Sequence, residues 1–359
     1  MTEERSRPGT DMSVRPVVVI KRSTSTAKNT GIDIYSNSVE NALASHNIPF
    51  ETVNTVMDTK AGYLKLLTNG IIRPFLSIIR GRNKCVYHAI DELCCLFLPF
   101  AKGKKVVTFH HVIKDSGKDM KASLVWHLAA KMGIRFSDTI IAISPQTKRE
   151  LISAYNVRED KITVILSEVS AAFVTLNDVE REKTIGCVST LIKRKNVDAL
   201  VRSFSLLAGM EGMSDVKLKI CGKGPEKAAL SELAASLGIS DKVVFLSDLS
   251  QDDIVRFYNS VSVLANPSMH EGFGYVTLEA QRCSAPVVFF GDADIPAEVT
   301  KCAVPCNDEE DLADKMHMLM TDERYREKIV GAGKEYADAF GREFSDGLVN
   351  IYRKLADDF

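Results

Sequence analysis

Met269-His270-Glu271-Gly272-Phe273-Gly274-Tyr275-Val276-Thr277-Leu278-Glu279-Ala280 is the stretch on which the fold turns. Two carboxylates stand eight residues apart, with two glycines and the start of an apolar run between them. Upstream lies the strand-like Val261-Ser262-Val263-Leu264-Ala265, closed by Asn266-Pro267. Downstream, Ala285-Pro286-Val287-Val288-Phe289-Phe290 reads as a buried strand. On one continuous helix, eight steps leave the two glutamates roughly 80° apart and about 12 Å along the axis, too far to share one small group. If Gly272 and Gly274 make the first part a loop, Glu271 folds back over the helix start and Glu279 sits on the helix. Loop amides and the helix N-terminus then favour an anion, and carboxylates beside it accept hydroxyls, which suits a sugar phosphate. The competing reading is a solvated helix carrying two surface glutamates after a glycine turn.

The chain has 359 residues, which favours two domains. Apolar residues make up 45% and charged residues 26%, an ordinary globular composition. The net charge of -1 is divided unevenly. Residues 1–170 hold 24 Lys and Arg against 16 Asp and Glu, and the remainder holds 22 against 31. A basic first half and an acidic second half predict modules with different ligands. The eight cysteines lack the paired spacing of a zinc site and read as buried thiols in a reducing compartment. Residues 1–15 are polar, without an apolar signal core, and the run from Leu93 to Ala101 is too short to span a bilayer.

Outward from the central stretch, strands and helices alternate. In the first half, strands are expected at Pro16–Ile20, Phe50–Val53, Val86–Ala89, Lys105–Phe109, Thr139–Ile143 and Ile162–Leu166. Helices are expected at Tyr35–His46, Ala122–Met132 and from Ser144-Pro145 through Leu151. The first strand is followed by no G-x-G-x-x-G, which disfavours a dinucleotide site there. His110 and His111 follow the fourth strand, at the edge where parallel sheets bind ligands. Residues 60–84 hold six bases (Lys60, Lys65, Arg73, Arg80, Arg82, Lys84) and no acid, among many apolar residues. This suits an anionic membrane surface or a lipid-linked phosphate; a core helix with a basic solvent edge is the other reading.

After a polar joint at 177–183 the alternation resumes. Strands are expected at Ile185–Val188, Leu218–Cys221 and Val243–Leu246, and helices at about 198–208 and 254–259. The strand ends carry Lys193-Arg194-Lys195, the turn Gly222-Lys223-Gly224-Pro225, and the Glu271–Glu279 loop. Together at one sheet edge, lysine charge and glycine amides would build a phosphate site.

With these motifs in view, the chain resembles the retaining GT-B glycosyltransferases of family 4, the "glycosyl transferases group 1" set. The resemblance rests on Lys195-Asn196-Val197-Asp198, Gly222-Lys223-Gly224-Pro225-Glu226, Glu271 to Ala280, Ala285-Pro286-Val287-Val288 and Ile295-Pro296-Ala297-Glu298-Val299. Ile141-Ala142-Ile143-Ser144 and Thr108-Phe109-His110 fit the family's first domain. The resemblance implies an α/β GT-B fold, two doubly wound Rossmann-like domains facing across a cleft. The expected divisions are an acceptor-binding domain at 1–176, a nucleotide-sugar-binding domain at 177–340, and a terminal helix at about 341–359 that packs back on the first.

The same resemblance implies roles. Glu279 would hold the ribose hydroxyls of a nucleotide-diphosphate sugar, and Glu271 would contact the transferred sugar. Amides of Gly272, Phe273 and Gly274 would lie near sugar and phosphate. Lys195 would neutralise the diphosphate leaving group. Gly222 would belong to the donor site, His110 (or His111) would lie near the sugar, and Gly31 would take the place of the family's first glycine loop. No cofactor and no metal is expected, and no nucleic acid. The partners are the donor and a glycan, lipid-linked or small-molecule acceptor, for a cytoplasmic protein with a peripheral site on the inner membrane face as one reading. Three places depart from the family pattern. Thr190 stands where an arginine is usual, leaving Arg194 or Lys193 to supply its charge. Leu166-Ser167-Glu168-Val169-Ser170 replaces P-N-G-V-D, and the paired first-loop glycine is reduced to Gly31. The alternatives are a catalytically weak paralogue that binds sugar nucleotides as a partner subunit, and a GT-B epimerase.

Overall fold

The computed structural model describes residues 15–23, 31–56, 66–81, 84–112 and 120–358. The chain divides into two compact units, residues 1–168 with 341–359, and residues 169–340. In the first, β1 (Val17–Ser23), β2 (Phe50–Val56), β3 (Val86–Ala89), β4 (Lys104–Phe109), β5 (Thr139–Ala142) and β6 (Ile162–Val164) form a parallel sheet in the order β2-β1-β3-β4-β5-β6. Short apolar runs make these strands because both faces are covered. Alternation along each strand divides the sheet's two sides. Val18, Ile20, Tyr87, Ala89, Val107 and Phe109 pack in one cluster with Cys94, Phe97 and Leu98 of the 3-10 segment Leu93–Phe100 and with Ala130 of the helix Met120–Phe136.

His88 and Thr108 point to the other side. There they meet the helices Gly31–Ser45 and Phe344–Asp357 through a buried chain of hydrogen bonds. Tyr352 Oη lies 2.7 Å from His88 Nδ1, His88 Nε2 lies 2.8 Å from Thr108 Oγ1, and that hydroxyl lies 2.9 Å from Tyr35 Oη. The terminal helix thus belongs to the first sheet, although more than 200 residues separate it from β3 in the chain. The helix Pro145–Tyr155 begins on Ser144, whose Oγ accepts the Thr147 amide at 3.1 Å, with proline at its first turn.

The second unit holds β7 (Glu182–Val188), β8 (Lys217–Cys221), β9 (Val243–Leu246), β10 (Val261–Asn266), β11 (Val287–Phe290) and β12 (Val304–Cys306) in the order β12-β11-β10-β7-β8-β9, all parallel. The chain winds outward from β7 through β8 to β9, then returns to place β10 on the other side of β7. The switch point of this doubly wound sheet therefore lies between the carboxyl ends of β7 and β10. Helices Val197–Ala208 and Glu309–Thr321 close one face, burying Leu200, Phe204, Leu312 and Met316.

Most elements extend a few residues beyond the apolar runs that signal them. The first helix starts at Gly31 rather than Tyr35, and the helix expected at 254–259 spans Gln251–Ser260, begun by a capping box of Ser250 and Asp253. Segment 66–79 is a π-helical stretch, Leu66–Ile72, followed by the α-helix Arg73–Ile79. Lys60, Lys65 and Arg82 of the basic segment, and the loop just before Gly31, lie outside the described residues. Seven of the eight cysteines are buried and none is in a disulfide.

Candidate active site

The switch point of the second sheet is built by two loops. After β7 the chain runs through Ser189 and Thr190 to a 3-10 turn, Lys193–Lys195, ended by Asn196 in the left-handed conformation (φ 51°). After β10 it runs through Pro267 to Gly274 and enters the helix Tyr275–Arg282. Backbone bonds stitch the loops together. The Met269 amide donates to Arg194 O at 3.2 Å, and Arg194 Nη1 donates to His270 O at 2.9 Å. On its other side the Met269–Glu271 segment pairs with the loop after β11. Glu271 N donates to Asp294 O at 3.0 Å, Asp294 N donates to Met269 O at 2.9 Å, and the His270 and Asp294 side chains meet at 2.8 Å. Glu271 is thus fixed by its backbone from both sides.

Its carboxylate forms an ion pair with Lys195 Nζ. The two side chains are only 13% and 14% exposed, so this is no solvated surface pair. Eight residues on, Glu279 is buried within the helix and accepts a hydrogen bond from Tyr258 Oη at 2.9 Å. Burial raises its pKa to about 7, against the opposing hydrogen bond from Tyr258. The solvated-helix reading of the two glutamates is therefore overturned: neither is at the surface, and they serve different loops and depths.

Between them, Phe273 buries its ring against Tyr275 and Phe340, with centroids 4.6 and 5.9 Å away. Among the described residues, the amides of Gly272, Phe273 and Gly274 are given to no acceptor of the chain. Gly274 has φ 96° and precedes a helix that no side chain caps. Three successive unspent amides and an uncapped helix start suit an anion.

The turn at Gly222 works differently. Its amide donates to Leu246 O at 2.9 Å, so it is not part of an amide cradle. A Cβ on Gly222 would stand 1.8 Å from Ser189 O, and one on Gly224 would stand 2.1 Å from Leu191 O. These glycines let the turn after β8 press against the loop that carries Lys195. Of the basic run, Lys193 and Arg194 are exposed, and only Lys195 turns inward. Arg194 pins the Glu271 loop through His270 O, and Thr190 is exposed.

In the first unit, His110 ends β4 as a buried side chain. Its ring meets the edge of Tyr35 with centroids 4.9 Å apart, and Nε2 lies 3.0 Å from Ile90 O. A carbonyl can only accept, so Nε2 carries the proton and Nδ1 is the basic atom. Burial lowers its pKa to about 4, which keeps the ring neutral. Beside it, two residues that the sequence reading passed over follow β3 directly. Asp91 accepts the Cys94 amide at 2.9 Å and stands 3.0 Å from Arg22 Nε, itself over the ring of Trp126 at 5.6 Å. Glu92 Oε1 accepts the His110 amide at 3.3 Å, and burial, then the Asp91 charge, push its pKa up to about 8. Their signal was available: a polar pair at the carboxyl end of a parallel strand, the same logic that singles out His110. Gly31 opens its helix as an exposed residue. Among the described residues no three ligating side chains converge on a metal position.

This geometry has relatives. Sequence models of two families match the chain, "Glycosyl transferases group 1" over residues 171–336 and "Glycosyltransferase Family 4" over residues 67–167. An uncharacterized glycosyltransferase of Methanocaldococcus jannaschii is 28% identical over 236 residues, which is 60% of this chain and 59% of that one. A D-inositol 3-phosphate glycosyltransferase of Saccharomonospora viridis is 37% identical over 139 residues, 37% of this chain and 32% of that one. The matched segments thus span less than two thirds of these relatives. The crystal structure of Anabaena HepE in complex with UDP and glucose superposes with a TM-score of 0.72 at 17% identity, covering 96% of this chain and 99% of that one. At this identity the likeness is one of fold.

Proposed function

We propose, for a chain that belongs to the GT-B glycosyltransferases, that it transfers a hexose-type sugar from a nucleotide-diphosphate sugar to an acceptor hydroxyl with retention of configuration. The observation that carries this is the pairing of Lys195 with Glu271 at the β7/β10 switch point, beside the unspent amides of Gly272 to Gly274. In this reading the donor diphosphate takes Lys195 and the loop amides. Glu271, released from Lys195, accepts hydroxyls of the transferred sugar. Glu279 accepts the ribose hydroxyls from the helix behind. The bond from the sugar's anomeric carbon to the leaving phosphate oxygen breaks, and the acceptor oxygen bonds that carbon from the same face. The acceptor proton passes to the departing phosphate, whose charge Lys195 offsets. His110, neutral and basic at Nδ1, is assigned in this reading as a hydrogen-bond acceptor for a sugar hydroxyl.

Lysine and amides supply the charge that a cation would otherwise bring, so activity is expected to survive chelator. A thermal-shift screen of UDP-, GDP- and ADP-sugars tests donor binding, since a ligand that binds only the folded state raises Tm. Release of nucleoside diphosphate, with wild type and Glu271→Ala, tests chemistry. No shift with any donor, and no release that depends on Glu271, would end this reading. Donor binding without turnover would favour the second one, a weak paralogue that serves as a sugar-nucleotide-binding subunit. That reading draws on Thr190 at the family's arginine position.

A further inference from the structure

Exposed large apolar side chains are concentrated on one side of the first unit. Ile71, Ile72 and Leu76 are exposed on segment 66–79, Phe100 at the end of the 3-10 segment, and Leu124, Val125, Leu128 and Phe136 on the helix Met120–Phe136. The 3-10 segment packs against both of the others, and the rings of Phe75 and Phe100 meet at 4.8 Å. All three therefore cover the same face of the sheet. Singly, exposed apolar residues mean little; a run of them across adjoining elements marks an interaction surface.

Within the three segments the charge has one sign, although Asp138 is exposed just past the end of the last. Segments 66–81, 93–102 and 120–136 contain no Asp or Glu. Arg73, Arg80, Lys84, Lys102, Lys131 and Arg135 are exposed on or beside them, and none is in an ion pair among the described residues. A second copy of the chain docking by this face would set bases against bases. A nucleic acid would use the bases but not exposed aliphatic Leu, Ile and Val, since strand binding relies on aromatic platforms. An anionic bilayer uses both: apolar side chains enter the acyl boundary and long basic side chains reach the headgroups.

We propose that this three-segment face docks the protein on an anionic membrane surface. The helix Met120–Phe136, which no charge run in the sequence marks, contributes the most exposed residue, Leu124, at 70%. The helix follows His110 in the chain, so docking would bring lipid near the edge of the first sheet. If the transferase reading holds, that placement suits a lipid-linked acceptor; the docking itself does not depend on it. Among the described residues no helix is long and apolar enough to cross a membrane, so the contact is peripheral.

Flotation of the full chain with phosphatidylglycerol-containing vesicles, against pure phosphatidylcholine vesicles, tests this. The wild type is expected to float with the anionic vesicles at low salt and to be released as salt rises. Leu124→Ser/Leu128→Ser and Lys131→Glu/Arg135→Glu are each expected to weaken binding by about tenfold or more. All four residues are exposed, so melting should be unchanged; Leu124→Gln alone serves if a double variant misfolds. Absence of wild-type binding at low salt overturns the proposal, as does binding that none of the variants weakens. Donor-induced Tm shifts in the same samples report on the transferase reading separately.

Discussion

Lys195 and Glu271 are 76 residues apart in the chain and form an ion pair at the carboxyl ends of β7 and β10. Each side chain is largely withdrawn from solvent, and each sits on a loop whose backbone is fixed by the other. Two charges this shielded interact far more strongly than an exposed pair. They also hold each other in place until something better arrives. A diphosphate can take Lys195 and a sugar hydroxyl can take Glu271, so donor binding exchanges one set of partners for another.

Removing Lys195 is therefore expected to lower kcat by about a hundred- to a thousandfold, the scale found for loss of a preorganised transition-state partner. Glu271→Ala should cost a comparable factor, and the double variant less than the product of the two, because the residues are coupled. Nucleotide release with saturating donor measures this. Independent, multiplicative effects would show that the pair is not a functional unit.

Glu279 makes donor binding depend on pH. Burial places its pKa near 7 in the free protein, so the proton is retained to about that pH. Ribose hydroxyls donate more strongly to the carboxylate than to the acid, so donor affinity should rise as pH passes from about 6 to about 8, with proton release on binding. Glu279→Gln should flatten the profile. Calorimetry in buffers of different ionisation enthalpy reads both. The stability of the free protein runs the other way. A carboxyl whose folded pKa is raised contributes most below its unfolded value, about 4.5, and loses that contribution as pH rises through about 7.

Gly222→Ala tests the packing of the two loops. Its Cβ would stand 1.8 Å from the Ser189 carbonyl, a backbone atom that cannot turn aside. A loss of about 2–4 kcal/mol by chemical denaturation is expected. Gly212→Ala is the control. Gly212 also has a positive φ, 77°, but nothing lies within 4 Å of its would-be Cβ, so only backbone strain remains, about 1 kcal/mol. Equal effects at the two glycines would refute the close-approach argument.

Tyr352→Phe leaves the buried His88 Nδ1 without its partner and should cost about 1–3 kcal/mol. The same histidine sets an acid limit. Burial lowers its pKa to about 3, so the stability gained by keeping it neutral is present above the unfolded value of about 6.5 and is lost as pH falls toward 3. Denaturant midpoints measured downward from neutral pH, in wild type and Tyr352→Phe, check both statements.

Much of this was legible in residue order. Parallel strands buried on both faces announce themselves as short Val and Ile runs, and β3 and β9 fall at the expected residues. Gly272 and Gly274 break the helix between two glutamates, and the loop and helix appear there. Boundaries were less legible, because caps and polar first turns, as at Ser250 and Gly31, extend helices past their apolar pattern. Roles that depend on a partner were not legible at all. Gly222 reads as a phosphate-binding glycine, but its amide is spent on Leu246 and its missing side chain makes room for Ser189. Arg194 reads as a charge for the donor, and only the folded chain shows that its Nη1 also ties down His270 O.

By itself, then, the sequence determined the α/β alternation, the two-unit plan and the strand ends that carry polar and glycine-rich loops. It could do so because strand periodicity, glycine turns and strand-end polar residues are local properties of the chain. Tertiary structure alone decided that Lys195 rather than its basic neighbours turns inward, that Glu279 is buried against Tyr258, and that Asp91 and Glu92 surround His110. It also decided that the exposed Leu124 and Leu128 lie on a helix that packs against the 3-10 segment, as the helix bearing Leu76 does. Each of these rests on which distant element fills the space beside a side chain, and crossover connections of tens of residues, not local propensity, set that.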